Sequence, residues 1–295
     1  MFRAYAALVF LGVIWGSNFI FMKWATVLIT PSQTVFLRVL FGFLPLALIA
    51  WRSKVITREQ LLYLPHFIAM SVLATSFYYY GFVVGTLLLP TSIAGLLSGS
   101  IPIFTLLGAA LFLPEERPTK QMVLGIVLGF AGIVLTARPW QGDTGLSLTG
   151  VLWMLAGSLS IGASFVYTRR FLSRLKLPPL ALATWQTGIA VITLSILIDF
   201  EGITNLATDS QALWGTVFGL GMLGTGTAFL IYYYIIETLG SVRAAVATYI
   251  ALVVAVVIGA IIGENITSLE VVALLLIIGG VLLIQTSRIR QSNPI

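Results

Sequence analysis

The chain has no cysteine, one histidine (His66) and few charges: only 9% of its 295 residues are Asp, Glu, Lys or Arg. Without cysteine there are no disulfides, thiolate nucleophiles or cysteine metal sites. One histidine and scarce carboxylates leave little from which to build a paired acid–base or metal-ligating constellation, so an enzyme, intramembrane ones included, is disfavoured and no metal or cofactor is expected. No glycine precedes Lys23, Lys54, Lys120 or Lys176, so there is no phosphate-binding loop and no sign of an ATP-driven pump.

Apolar residues make up 59% of the chain, and the mean hydropathy is +1.04. A soluble domain carries about 25% charged residues and cannot hide this much apolar surface. The solvent implied is lipid, where every backbone N–H and C=O must be paired within the fold. The apolar runs are continuous and about 20 residues long, the length of a membrane-spanning helix rather than of alternating barrel strands. Ten such segments are expected, near 4–26, 33–51, 61–85, 91–113, 120–137, 147–171, 179–199, 211–237, 242–262 and 268–287. Pro45 and Pro102 fall inside segments and are expected to kink them.

The net charge of +6 belongs to loops. With the N-terminus in the cytoplasm, Arg3, Arg52, Lys54, Arg58, Arg117, Lys120, Arg169, Arg170, Arg174, Lys176, Arg243, Arg288 and Arg290 lie inside, and only Lys23 and Arg138 outside. Basic residues prefer the cytoplasmic side, so both termini are expected there, in an inner (plasma) membrane protein with no nucleic-acid partner.

The two halves of the chain resemble each other. Glu116 maps onto Glu264 and Gly132-Ile133 onto Gly280-Val281 at an offset of 148; Asn18 maps onto Ser164 at 146 and Pro31 onto Pro178 at 147. This divides the chain into 1–145 and 146–295. Five segments per half is an odd number, so the second half crosses the membrane in the opposite sense. The expected fold is all-α, with ten transmembrane helices as two inverted five-helix repeats, a plan that puts a transport site between the halves.

Trp15-Gly16-Ser17-Asn18-Phe19 with Lys23, the run Thr225 to Glu237, Gly240, Arg243-Ala244-Ala245, and Gly263-Glu264 before Thr267 resemble the EamA branch of the drug/metabolite transporter superfamily. So do Ser92, Ala94-Gly95, Pro102 and Glu116 in the first half. The sequence departs from the family at Ile250-Ala251-Leu252, where the ninth span usually carries a proline. The resemblance implies a ten-helix exporter of small metabolites, closest in character to YddG-type amino-acid exporters. Nucleotide-sugar or drug transport on the same fold, or a channel, are the alternatives. The expected partners are the solute and the bilayer, and a monomer suffices.

Candidate solute contacts are polar and aromatic side chains within spans. They are Asn18 and its mate Ser164; Arg38, a charge inside a span that costs at least about 2.5 kcal/mol to insert; the stripe Thr75, Tyr78, Tyr79 and Phe82, matched by Tyr232; Ser98 beside Pro102; Tyr249 in the ninth span; and Trp185-Gln186 in the seventh. For Arg38 the sequence leaves two readings, snorkelling to the outer headgroups, or a functional contact with a carboxylate or an outward gate. No Asp or Glu falls at mid-depth, so a proton relay is not expected.

Overall fold

The computed structural model describes residues 2–113, 119–138, 146–239 and 246–292. The expectations placed on Glu116, Arg117, Gly240 and Arg243 fall outside them. The described chain is helical: α1 (Phe2–Thr26), α2 (Pro31–Arg52), α3 (Arg58–Leu88), α4 (Thr91–Phe112), α5 (Lys120–Ala137), α6 (Leu148–Leu175), α7 (Pro179–Leu197), α8 (210–239), α9 (Val246–Ile261) and α10 (Ser268–Ser292). Among the described residues, nine of these are long and apolar enough to cross a membrane, and α9 is a shorter apolar helix. Large apolar side chains such as Phe10, Leu111, Phe130, Ile196 and Leu275 cover the outside, the reverse of a water-soluble surface.

The two prolines inside spans behave differently. α4 breaks into Thr91–Ser98 and Ile101–Phe112, with Pro102 in the first turn of the second piece, where its missing N–H has no helical partner to lose. The Ser98 and Ser100 hydroxyls donate to the Gly95 and Leu97 carbonyls at 2.6 and 2.7 Å, covering acceptors next to the break. α2 runs through Pro45 without interruption. α9, which has Ile250-Ala251-Leu252 where the family's ninth span usually carries a proline, is also unbroken over Val246–Ile261.

Helix pairing is symmetric. α1 packs on α9 as α6 packs on α4; α2 on α8 as α7 on α3; α3 on α6 as α8 on α1. The pairs α2–α7, α4–α9 and α5–α10 map onto themselves when each helix is advanced by five. Most packing is thus between halves. Glycines permit the closest approaches, as at Gly125 and Gly280, where a Cβ on either would collide with the other's carbonyl.

At the end of the bundle where α1 finishes, polar contacts tie the halves together. Thr30 and Gln33 form a reciprocal cap at the start of α2, and Gln33 Nε2 also donates to the Asp199 and Glu201 carbonyls at 2.8 Å each. Arg138 pairs with Glu270 at 3.1 Å and donates to Thr267. Glu264 accepts the first N–H groups of α4, from Thr91 and from Ser92 (2.9 Å), a carboxylate on a helix N-terminus. Within the first half, Lys23 Nζ donates to the Leu89 carbonyl at 2.9 Å. At the opposite end, ties across halves among the described residues include Trp185 to Gln60, His66 to Tyr167, Gln121 to Thr286, Thr119 to Ser287, and Arg170 to the Phe112 carbonyl.

Burial raises the Glu264 carboxyl, but the hydrogen bonds from Ser92 and Thr91 outweigh it and hold the group below its ordinary 4.5. A depressed carboxyl stabilises the fold above its ordinary pKa, and that contribution is lost as pH falls through the folded-state value. The melting temperature of the purified protein is therefore expected to drop on acidification below about pH 4.5 by more than that of Glu264→Gln. Equal pH slopes for the two proteins would remove the carboxylate cap from the stability of this end.

Candidate solute site

The site is built around Arg38. Its side chain is only 4% exposed, so it does not snorkel to a headgroup layer. Arg38 lies seven residues into α2, Asn18 eight residues before the end of α1, and Tyr79 nine before the end of α3. At 1.5 Å per residue these are depths of about 10–14 Å, close to the middle of a ~30 Å hydrocarbon layer.

Each partner of Arg38 is neutral. The guanidinium carbon sits 3.8 Å above the centre of the Tyr79 ring, a cation–π contact in a buried site. Nε donates to Thr225 Oγ1 at 3.2 Å, and Nη1 points at Met22 Sδ, a weak acceptor 3.7 Å away. With the Asn18 amide oriented to donate to the Ile14 carbonyl, its oxygen accepts from Arg38 Nη2, both at 3.2 Å. Thr225 is held in the same way. Its hydroxyl donates to the Leu220 carbonyl at 3.0 Å, five residues back, which leaves its lone pairs for the arginine. That spacing exists because Gly215–Thr227 is π-helical, a local widening common at functional sites. Among the described residues, no carboxylate contacts Arg38; the ion pair found is Arg138–Glu270, at the end of the bundle.

α2 and α8 approach closely enough for this because the crossing is made of glycine. A Cβ on Gly42 would stand 2.6 Å from the Thr225 side chain; one on Gly221 would meet Phe41, and one on Gly226 would meet Pro45.

Of the residues expected at the site, the structure brings Asn18, Arg38 and Tyr79 into direct contact. It lines them with Tyr78 (4.9 Å from Tyr79 between ring centres) and Phe82 (4.7 Å from Tyr78), and Phe82 in turn packs on Phe19. Tyr249 is buried in the same apolar core as Tyr79 and Phe82. Thr75 lies one turn before Tyr79, 1% exposed, in the π-helical stretch Val72–Ser76, and its hydroxyl has no partner. The others lie elsewhere. Ser98 and Ser164 hydroxyls are used by carbonyls of their own helices. Trp185 stacks on Phe67 and donates to Gln60 (2.8 Å), while Gln186 beside it is buried. Tyr232 packs against Trp15 in a separate apolar cluster. Thr225 and Met22 are contacts the candidate set lacks. Thr225 stands on the same stripe as Tyr232, and its pairing with an arginine 187 positions away leaves no local signal.

A membrane-embedded helical bundle with a polar, aromatic-walled centre drawn from both halves is the architecture of a solute transporter. The chain belongs to the EamA-like transporter family, whose model matches it twice, at residues 2–138 and 148–286. Membership makes it a transporter of small solutes rather than an enzyme. It is 25% identical to an uncharacterized transporter of Archaeoglobus fulgidus over 79% of this chain and 80% of that one. It is 24% identical to the uncharacterized transporter YoaV of Bacillus subtilis over 95% and 96%. It is 28% identical to the uncharacterized inner membrane transporter YedA of Escherichia coli K12, over 66% of this chain and 62% of YedA. A crystal structure 20% identical in sequence superposes with a TM-score of 0.62 over 98% of this chain and 99% of the other, a likeness of fold.

Gly42→Val is expected to push α2 from α8 and separate Arg38 from Thr225. Overpacking of this kind costs about 1–3 kcal/mol, read as a lowered melting temperature. Gly279→Ala, where a Cβ meets nothing within 4 Å, is expected to leave it unchanged. If both variants melt like the parent, the tight crossing does not hold the site together.

Proposed function

We propose that the chain exports small amphiphilic metabolites, aromatic and other amino acids foremost, across the inner membrane by alternating access between two inverted five-helix halves, 1–145 and 146–295. The observation that carries this reading is the mixed parentage of the centre: Asn18, Arg38 and Tyr79 come from the first half and Thr225 from the second, at mid-span. A rigid rocking of one half against the other changes the surroundings of such a centre without dismantling either half.

The inverted arrangement is supported by the double family match, by the pairing of helices that repeats with a shift of five, and by the odd number of helices per half. The loop charges support cytoplasmic termini, which makes the Lys23 end of the bundle the outer one. The name of YedA supports an inner membrane. Rings beside a cation suit an aromatic amino acid, in line with the resemblance to YddG-type exporters. Uniport or exchange is the favoured mode, because the described carboxylates lie at helix ends and in connections.

In proteoliposomes, counterflow of radiolabelled phenylalanine, tyrosine or tryptophan is expected in a panel that also holds nucleotide sugars, sugar phosphates and cationic drugs. A nucleotide sugar carried while no amino acid moves would defeat this reading. Tyr79→Ala is expected to slow the favoured solute about tenfold or more, the loss of roughly 1.4 kcal/mol of binding. Phe10→Ala, on a side chain 50% exposed, is expected to have no such effect.

A further inference from the structure

Resting on the transport reading above, we infer that the Arg38 guanidinium is the receptor for a carboxylate of the solute, and that the solute class is defined by this carboxylate and an apolar body, with no requirement for an ammonium group.

The guanidinium keeps its charge at every physiological pH, so burial cannot be relieved by losing a proton. Its planar fork has five N–H bonds, and the described protein supplies three acceptors, one of them a thioether. Two N–H bonds remain for a ligand, and a carboxylate is the acceptor that brings the missing negative charge as well. Thr75, buried with an unpartnered hydroxyl one turn from Tyr79, supplies a further polar atom on the same helix.

The fold itself does not need this charge. At an offset of 148 the mate of Arg38 is Gln186; that of Asn18 is Ser164 at 146, and that of Thr225 is Thr75 at 150. The mated positions are also buried, and they hold only neutral side chains. The same architecture therefore closes around an uncharged amide in one half and keeps a full cation in the other. A charge placed in lipid without structural need points to a ligand that uses it.

Among the described residues, an ammonium finds no comparable partner. Among the described carboxylates, Glu264 and Glu270 are engaged at the end of the bundle, Asp199, Glu201 and Asp209 lie in the connection between α7 and α8, and Glu59 opens α3. Tyr78, Phe82 and Phe19 instead extend an apolar wall away from Tyr79. An amino acid fits this centre through its carboxylate and side chain, and its 2-oxo or deaminated counterpart fits equally.

The test uses the full-length protein in nanodiscs, with tryptophan fluorescence and thermal shift as binding readouts. The probes are phenylalanine, 3-phenylpropionate, hexanoate and pyruvate, set against phenethylamine and phenylalaninamide. At least one monocarboxylate lacking nitrogen is expected to bind within about tenfold of phenylalanine, and the two amines about 10- to 100-fold more weakly. Arg38→Gln is expected to abolish the difference between acids and amines, and Arg38→Lys to keep part of it. Should Arg38→Gln fail to fold, the parent's ranking of the probes decides alone. Amines that bind as well as acids, or no carboxylate bound below roughly 10 mM, would overturn the inference. Failure of the transport reading looks different: carboxylates bind through Arg38, yet no solute crosses proteoliposomes. Undiminished movement of an uncharged or cationic solute by Arg38→Gln leaves transport standing and removes the carboxylate receptor.

Discussion

A guanidinium that cannot shed its proton lies among helices surrounded by lipid, and the centre of the molecule is arranged around that fact. Water cannot be the partner at 4% exposure, and no described carboxylate reaches it. Its neighbours must then be neutral groups whose dipoles point the right way and stay there. Asn18 is oriented by the Ile14 carbonyl, and Thr225 by the Leu220 carbonyl. The π-helical stretch in α8 and the glycine crossing with α2 follow from the same need, because they bring that hydroxyl within reach of Arg38. Each neutral bond is worth about 0.5–1.5 kcal/mol net, and a bond to a charged group about 1.5–3. The set therefore offsets part of the cost of burial and leaves the centre still short of one negative charge.

The spans were legible because lipid imposes one rule on every backbone group. The expected segments agree with α1 to α10 to within a few residues at nearly every boundary, the 3-10 turn that opens α3 at Arg58 being an addition. Arg38, Asn18 and the Tyr78–Tyr79–Phe82 stripe were legible too, since a polar or aromatic group inside an apolar run stands out. What the sequence does not encode locally is which of them meet. Trp185 and Tyr232 satisfy the same criterion and are spent elsewhere, on Phe67 with Gln60 and on Trp15. Thr225 looks like any helical threonine until the π-helical widening aims it at another helix. That choice is made by packing between halves, with contacts 187 residues apart in the case of Arg38 and Thr225.

The two halves also depart from symmetry. Helix pairing repeats faithfully, yet α4 breaks at Gly99-Ser100 while α9 runs straight, and Arg38 faces neutral neighbours where its mate is Gln186. A duplicated scaffold needs its two copies to agree only where they pack. Elsewhere each copy is free to differ, and these two differences fall in spans that pack between the halves.

Among the described residues, the two ends of the bundle differ in the ties between halves that the proposed rocking would have to break. Where α1 finishes, the contacts between halves include the Arg138–Glu270 ion pair and a carboxylate on a helix N-terminus, both charge-assisted. Among the described residues, the ties at the other end are mostly neutral, from indole, imidazole, amide and hydroxyl groups, with one exposed arginine on a carbonyl. Breaking charged, partly buried pairs costs more than breaking neutral ones. Under the proposed alternating access, a motion that opens the Lys23 end needs a compensating gain, and the proposed carboxylate receptor offers one at the centre. The gain available there is the relief of an uncompensated cation, which an anionic solute provides and an empty site does not. In that proposal Arg38 is the group that couples occupancy of the centre to contacts more than 10 Å away, through the balance of charge that burial imposes on it.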